Sequence, residues 1–452
     1  MQQTDLRGWR ELSLDDLRQA LAAIVLGGVV FISATRLTLL PGDILVANDF
    51  SGEGNVLRQL LYLVGVGLML VTADPLRQPA RLLAVPVSVL ILLAWCVASL
   101  GWSVAPGVGL RRLVLAVLVI WMCFRSVDML GPRRALAVVL YVSLGLLVAN
   151  LVAVATVPVA VHRFRGVILD DSIVGAWRGI MPEKNGAGLL TAVTIILLCF
   201  GVGRLPLLVR IGCIGLAAIF LYGTQSKTAI GLVGIGIVTG GLYQLYTPQW
   251  RVFLLPLLAI GGAAAVLAAW TYVPPYLLEL DSSLAAFTGR IQIWRVMVDY
   301  IADNPWLGAG FGSVWNVGPT SPVYRYTTSH WITTMIAEGH NGYLDLVMQI
   351  GIPGAVLAIG VLFVLPLAKL LTLPAAARDL AGVCLGVLIF SLFHNLTEST
   401  ILWPDHFGQV MIVIAVAVTN RLCGSWWRPG QVVTGRSDIH RPPVRADRTE
   451  LA

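Results

Sequence analysis

The segment Ala337-Glu338-Gly339-His340-Asn341-Gly342-Tyr343-Leu344-Asp345 runs directly into the apolar stretch LVMQIGIPGAVLAIGVLFVL. Ionisable side chains beside hydrocarbon are costly and tend to mark function. His340 has two readings. As a general base, its imidazole titrates near neutrality, and partial burial keeps it neutral and able to accept a proton. As a structural residue, it belongs to a His-Asn-Gly helix start, with Asn341 in support. Asp345, five residues on, is either its buried ionisable partner or a structural hydrogen-bond acceptor.

A second set is cationic. Arg290, Arg295, Lys184 and Lys227 sit next to apolar segments, and Arg163, Arg165, Arg178, Arg111 and Arg112 form a second tier. Juxtamembrane basics often snorkel to headgroups, which suits Arg111 and Arg112. Lys227 lies in a very short link between two apolar runs and suits that explanation less. The functional alternative is a diphosphate site, with guanidinium groups gripping phosphate oxygens and lysines adding point charge. Together the two sets suggest one reaction. An acceptor hydroxyl attacks the anomeric carbon of a lipid diphosphate-linked sugar, His340 takes the hydroxyl proton, and cations stabilise the charge on the departing diphosphate. A single displacement inverts the anomeric centre. Acidic pairs exist (Asp43 with Asp49 and Glu53; Asp170-Asp171), but loop acids are common and basic residues can do the same electrostatic work, so no metal is expected.

The elements that must position these groups are membrane helices. Hydrophobic residues make up 57% of the 452 and charged residues 12%, against about a quarter charged in soluble chains. The apolar residues fall in bilayer-spanning blocks of roughly twenty. An all-α polytopic membrane protein of about twelve transmembrane helices is predicted, at roughly 20–36, 57–73, 82–100, 112–125, 135–157, 186–203, 205–222, 228–246, 252–272, 342–370, 379–393 and 406–422. The short link at Arg204 is either a turn or a kink. The 342–370 segment, with Gly351, Pro353 and Gly354, is expected to tilt or break.

Placing the N-terminus in the cytoplasm puts nineteen of the 31 Lys and Arg inside, in line with the positive-inside rule. The net charge of +7 then reflects these inner arginines and not nucleic-acid binding. Residues 1–19 form a cytoplasmic N-terminal segment without a cleavable signal peptide, 20–422 the transmembrane domain, and 423–452 a disordered cytoplasmic tail. The six cysteines lie in or beside apolar runs and serve as small hydrophobes. The large outer loop, 273–341, is too long to be idle. Thr288 to Ala302 reads as an amphipathic helix with Ile291, Trp294, Val298 and Ile301 on its apolar face, ended by Asn304-Pro305. GAGFGS follows as a close-packed turn, without the strand a dinucleotide fingerprint requires. GTQSKT (223–228) lacks the glycine a P-loop needs before Lys227.

Several segments then carry a resemblance. EGHNGYLDLVMQIGIPGAVL, TGRIQIWRVMVDYIADNPWLGAGFGS, GTQSKTAIGL and LGWSVAPGVGLRRL are similar to motifs of the bacterial O-antigen ligase / O-antigen polymerase superfamily. MPEKNGAGLL and HNLTESTIL resemble its exopolysaccharide polymerase branch. They cover residues 101 to 402 in the family's order. The resemblance implies a GT-C-type glycosyltransferase of the bacterial inner membrane that takes an undecaprenyl diphosphate-linked glycan at the periplasmic face, without metal or other cofactor. It implies His340 as the essential histidine, Arg290 as the arginine of the Gly-Arg motif, Lys227 at a position where the family often has arginine, and Lys184 from the Lys-Asn motif, both as diphosphate ligands; Arg295 and Arg178 join them from the reading of the cations alone. Asn341, Asp345, Glu398 and Trp294 fall in the same motifs as supporting residues. A polymerase, extending a chain onto the next lipid-linked repeat, is favoured by the Lys-Asn and Glu-Ser segments. A ligase delivering the glycan to lipid A-core uses the same donor site. Polysaccharide export and chain-length proteins are expected partners. A lipid-linked oligosaccharide flippase predicts motifs on both faces, and the inner loops carry none.

Overall fold

The computed structural model describes residues 13–35, 55–75, 78–162, 173–250, 252–254, 256, 260, 289–374 and 377–424. Among them the secondary structure is helical, apart from one isolated bridge between Val161 and Trp177. The helices are α1 (Leu14–Ala34), α2 (Val56–Ala73), α3 (Val87–Ser99), α4 (Pro106–Leu130), α5 (Pro132–Thr156), α6 (Lys184–Cys199), α7 (Leu207–Thr224), α8 (Lys227–Leu245), α9 (Arg290–Asp303), α10 (His330–Met335), α11 (Gly342–Ile359), α12 (Leu365–Leu370), α13 (Arg378–His394) and α14 (Phe407–Leu422). A π-turn, Gly360–Val364, joins α11 to α12.

Among the described residues, seven segments are long and apolar enough to cross a membrane: α1, α2, α4, α5, α7, α8 and Gly342–Leu370. Helices α3, α6 and α14 are apolar but shorter. α13, with 17 residues, is buried along much of its length. The chain is a multi-pass membrane protein. Most of the expected span at 252–272, the acidic pairs, Arg163 and Arg165, and residues 425–452 lie outside the described residues. α1 begins at Leu14, six residues before the expected span, because Ser13 and Asp16 form a reciprocal capping box there.

The link at Arg204 is a turn and not a kink. Gly201 and Gly203 both have positive φ, Pro206 precedes the next helix, and α6 packs against α7. Segment 342–370 does break, at Gly351 (φ 71°). The break leaves carbonyls unpaired in an apolar setting, where each must find a donor. Ala309 and Gly310 N–H supply the Met348 and Gln349 carbonyls at 2.9 and 2.8 Å, and Trp95 Nε1 supplies Ile350 at 3.1 Å. The GAGFGS turn therefore packs into a broken helix, its glycines 308, 310 and 312 all at positive φ.

Among the described residues, α8 and α13 make the most extensive helix–helix contact. Gly236 and Gly240 face Gly386 and Gly382, and a Cβ built on Gly382 meets the Gly240 carbonyl at 2.9 Å. Small residues four apart let backbones approach where lipid supplies no hydrophobic drive. This contact sets the start of α8 beside the segment that follows α13.

Arg112 corrects the headgroup reading. Its guanidinium donates to the carbonyls of Gly312, Trp315 (2.8 Å) and Asn316 (3.1 Å), tying α4 to the GAGFGS turn. α9 also departs from expectation. Its most buried face is Ile293, Val296, Met297 and Tyr300, with Ile291 from the expected stripe, while Trp294 and Ile301 pack half-buried against the same core. The helix rests on a small core of its own, with Val314, Trp315, Val323, Ile332 and Met348.

Candidate active site

One end of the bundle gathers the chemistry. Asn341 caps α11, its Oδ1 accepting from the N–H groups of Tyr343 and Leu344 at 3.1 Å each. The cap is therefore Asn341, which leaves His340 one residue outside the helix in the left-handed region (φ 48°). A non-glycine residue there is unusual and needs outside support. The support is a web across the 339–342 backbone. Trp294 Nε1 donates to the Gly339 carbonyl at 3.0 Å, Gly339 N–H donates to Asp345 Oδ2 at 2.9 Å, and Asn341 N–H donates to Ser399 Oγ at 3.0 Å. Gly342 N–H reaches the carbonyls of Asn395 (2.9 Å) and Glu398 (3.0 Å).

Asp345 serves this web. It is 3% exposed and also accepts from Trp315 Nε1 at 2.6 Å and from the Ser399 hydroxyl. Of its two readings, the structure gives the hydrogen-bond acceptor and not the partner of His340. The acids that meet the imidazole are Glu338 and Glu398, whose oxygens lie 3.0 and 3.4 Å from Nδ1. Glu398 also receives Arg290. Nη2 of Arg290 lies 2.6 Å from Glu398 Oε1, while its Nη1 donates to the Thr397 carbonyl at 2.6 Å. One buried carboxylate thus joins the histidine of one motif to the arginine of another.

The electrostatics correct the expected neutral histidine. Burial does oppose a charge on His340, but Glu338 and then Glu398 outweigh it and raise the imidazole to about 10. Burial likewise favours a neutral Glu398. The hydrogen bond with His340 and the Arg290 charge reverse this and hold the carboxyl well below its ordinary range.

Lys227 opens α8 and is exposed, with no hydrogen-bond or ion-pair partner among the described residues. Its neighbour Thr228 shares a 2.7 Å hydroxyl contact with Thr397, which sets Lys227 close to the Arg290 anchor. Lys184 opens α6. The adjacent Glu183, Asn185 and Gly186 line a cleft of about 210 Å³, partly open to solvent, with Glu338, Glu398 and His394. Arg295 is half-buried on α9, about 100° round from Trp294. Arg178 stands apart in its hydrogen bonds. Its guanidinium donates to the Val159 and Pro182 carbonyls at 2.9 and 3.3 Å, bracing the connection into α6.

The starts of α6, α8, α9, α11 and α14 all lie at this end, and those of α6, α8 and α9 carry no side-chain cap hydrogen bond. Helix N-termini favour anions. Glu338, His340 and Glu398 present ligand atoms within 4.8 Å of one another and can in principle hold a metal ion.

Sequence reasoning missed Glu338 and Ser399. Glu338 stood two residues before His340 in the same stretch, and an acid that near a candidate base was the available signal. Ser399 lies 58 positions from Asn341, and only the fold joins them.

Residues 212–359 match the O-antigen ligase family model, a range that includes Lys227, Arg290 and His340. The chain is 24% identical over 205 residues to the exopolysaccharide production protein ExoQ of Rhizobium meliloti (strain 1021). That likeness spans 44% of this chain and 46% of the relative, less than half of each. With the ordered motifs now gathered at one end of a helical membrane bundle, these matches support the resemblance to the O-antigen ligase / O-antigen polymerase superfamily.

Proposed function

We propose that the protein is a glycosyltransferase of the bacterial inner membrane that polymerises undecaprenyl diphosphate-linked repeats at the periplasmic face, with both termini cytoplasmic. The observation that carries this reading is Glu398, which holds Arg290 at 2.6 Å and His340 at 3.4 Å. A displacement at an anomeric carbon needs a proton acceptor on one side and positive charge on the other. Glu398 fixes both. His340 accepts the acceptor hydroxyl's proton. Arg290 and Lys227, helped by uncapped helix starts and by Lys184 from α6, offset the charge on the leaving diphosphate. Arg295 and Arg178 take outer positions, Arg178 through the connection it braces.

The test is glycan transfer by purified protein in lipid, with a lipid diphosphate-linked repeat as donor and excess EDTA. A ladder of lengthening products is expected, and His340→Ala lowers the rate by about 10³-fold or more. Undiminished transfer by His340→Ala overturns the assignment of the base, and loss of transfer in EDTA overturns metal independence. A second reading is favoured by the matched family model, described as O-antigen ligase. Transfer only to lipid A-core acceptors, without a ladder, decides for it.

A further inference from the structure

The two carboxylates on His340 Nδ1 are not equivalent. Glu398 is committed twice, to Arg290 through Oε1 and to the imidazole through Oε2, and is 4% exposed. Glu338 is nearer to Nδ1, at 3.0 Å, and His340 is its one ion-pair partner among the described residues. It lies in the short connection between α10 and α11, only two residues before the histidine it meets. On its other side is the cleft that leads to His394, a residue 2% exposed with both ring nitrogens unpartnered.

We infer that Glu338 is the positioning residue of the transfer reaction, accepting Nδ1–H from His340 so that Nε2 is the nitrogen presented to the acceptor hydroxyl. The inference rests on the transfer reading above and deepens it. In the step, the acceptor O–H bond breaks and its proton goes to Nε2. The freed oxygen pair forms the bond to the anomeric carbon. The carbon–oxygen bond to the diphosphate breaks, with its pair leaving on the diphosphate. Glu338 keeps Nδ1–H as its hydrogen-bond donor and faces the imidazolium that forms, the role a buried carboxylate plays behind a catalytic histidine in hydrolases.

Other groups around the ring do not replace it. Arg290 reaches the ring only through Glu398. Asp345 is consumed by Gly339, Trp315 and Ser399. Glu183, His394 and His406 border the cleft and make no hydrogen bond to the ring among the described residues. His406 accepts from Gly408 N–H through its own Nδ1. Lys227 faces outward from the α8 start.

The experiment compares wild type, Glu338→Gln, Glu338→Asp and His340→Ala in lipid vesicles with an undecaprenyl diphosphate-linked repeat as donor, across a pH series. Glu338→Gln is expected to lower kcat about 100-fold with donor KM within about twofold of wild type, and Glu338→Asp to recover part of the loss. The alkaline-rising limb of the rate moves to lower pH in Glu338→Gln, because one of the two carboxylates holding the proton on His340 is gone. A second arm needs no donor. The imidazole of ¹³C-histidine-labelled protein is titrated by NMR, with His340→Asn to assign the signal, and the His340 titration is expected to fall in Glu338→Gln. A rate within about threefold of wild type with an unmoved limb, while His340→Ala is inactive, overturns the role of Glu338 and leaves the transfer reading intact. A lower rate with neither limb nor titration moved assigns Glu338 to the fold alone and also overturns it. Wild-type protein that transfers nothing overturns the transfer reading, and the NMR arm then decides separately whether Glu338 holds the proton.

Discussion

Two regions of this molecule are held together by opposite means. Where α8 crosses α13, Gly236 and Gly240 meet Gly386 and Gly382, and the fit depends on having no side chain at all. At the end of the same two helices, residues 338–345 and 395–400 are joined almost wholly by polar atoms, with Asp345, Asn395 and Glu398 each taking several partners. The glycine contact can be close because neither backbone offers it an unpaired group. The polar layer can be buried because its donors and acceptors find each other. The first region tolerates no added volume, and the second tolerates no lost partner. Since Thr228 on α8 touches Thr397 just after α13, the dry contact also sets the spacing of the wet one.

This contrast can be broken from either side. The largest effect is expected from Gly240→Leu, whose side chain meets the Gly382 carbonyl and the Phe200 ring. A loss of about 3 kcal/mol or more is expected from overpacking there, seen as a lower unfolding temperature in detergent together with loss of transfer. If activity survives while stability falls, the glycine contact does not set the site. The next effect is on pH. The His340 proton is held up to about 10 by the flanking carboxylates, so the form able to accept a proton grows as pH rises. Transfer is expected to increase by about tenfold per pH unit between neutrality and that value. Stability runs the other way. A histidine pKa raised on folding stabilises the fold fully below its free value of 6.5, and that contribution fades as pH rises toward about 10. Unfolding temperature measured across the same series should therefore fall while the rate climbs.

A smaller effect sharpens the polar side. Arg290→Ala and Glu398→Gln, alone and together, form a double-mutant cycle across the 2.6 Å pair. A coupling of about 1–3 kcal/mol in detergent unfolding is expected, since each single change strands a mostly buried partner. Additive effects would mean that Glu398 does not link the arginine to the histidine. The smallest change is Asn341→Ala, which removes the α11 cap and costs about 1 kcal/mol of stability. Its effect on rate should be no larger than that loss of order, because His340 keeps both carboxylates.

Much of the fold was legible because hydrophobic blocks of bilayer length are a local property. α1, α2, α5, α7 and α8 lie within a few residues of their expected spans or begin slightly earlier. The break in 342–370 was legible too, since Gly351, Pro353 and Gly354 weaken a helix wherever they stand. The α9 face was legible only in part, in Ile291, Trp294 and Ile301. Ile291, Trp294, Val298 and Ile301 form a reasonable stripe, but which side of a short helix is buried depends on what packs there, and Trp315 and Met348 come from later in the chain. The outward cations divide in the same way. Arg112 and Arg178 bind carbonyls, so basics that looked available to a substrate or a headgroup serve the fold.

The sequence by itself determined that this chain is a bundle of membrane helices, that its ionisable side chains crowd the ends of particular helices, and that His340, Arg290 and Lys227 stand in segments resembling known motifs. Those are matters of residue type, spacing and order, which need no partner from elsewhere in the chain. Tertiary structure alone decided which charge meets which. Glu398 reaches Arg290 across 108 positions and His340 across 58, and Asp345 is drawn to a tryptophan and a serine instead of the histidine near it. Electrostatic and hydrogen-bond energies fall steeply with distance and depend on burial. Distances of that kind exist only once the helices have packed.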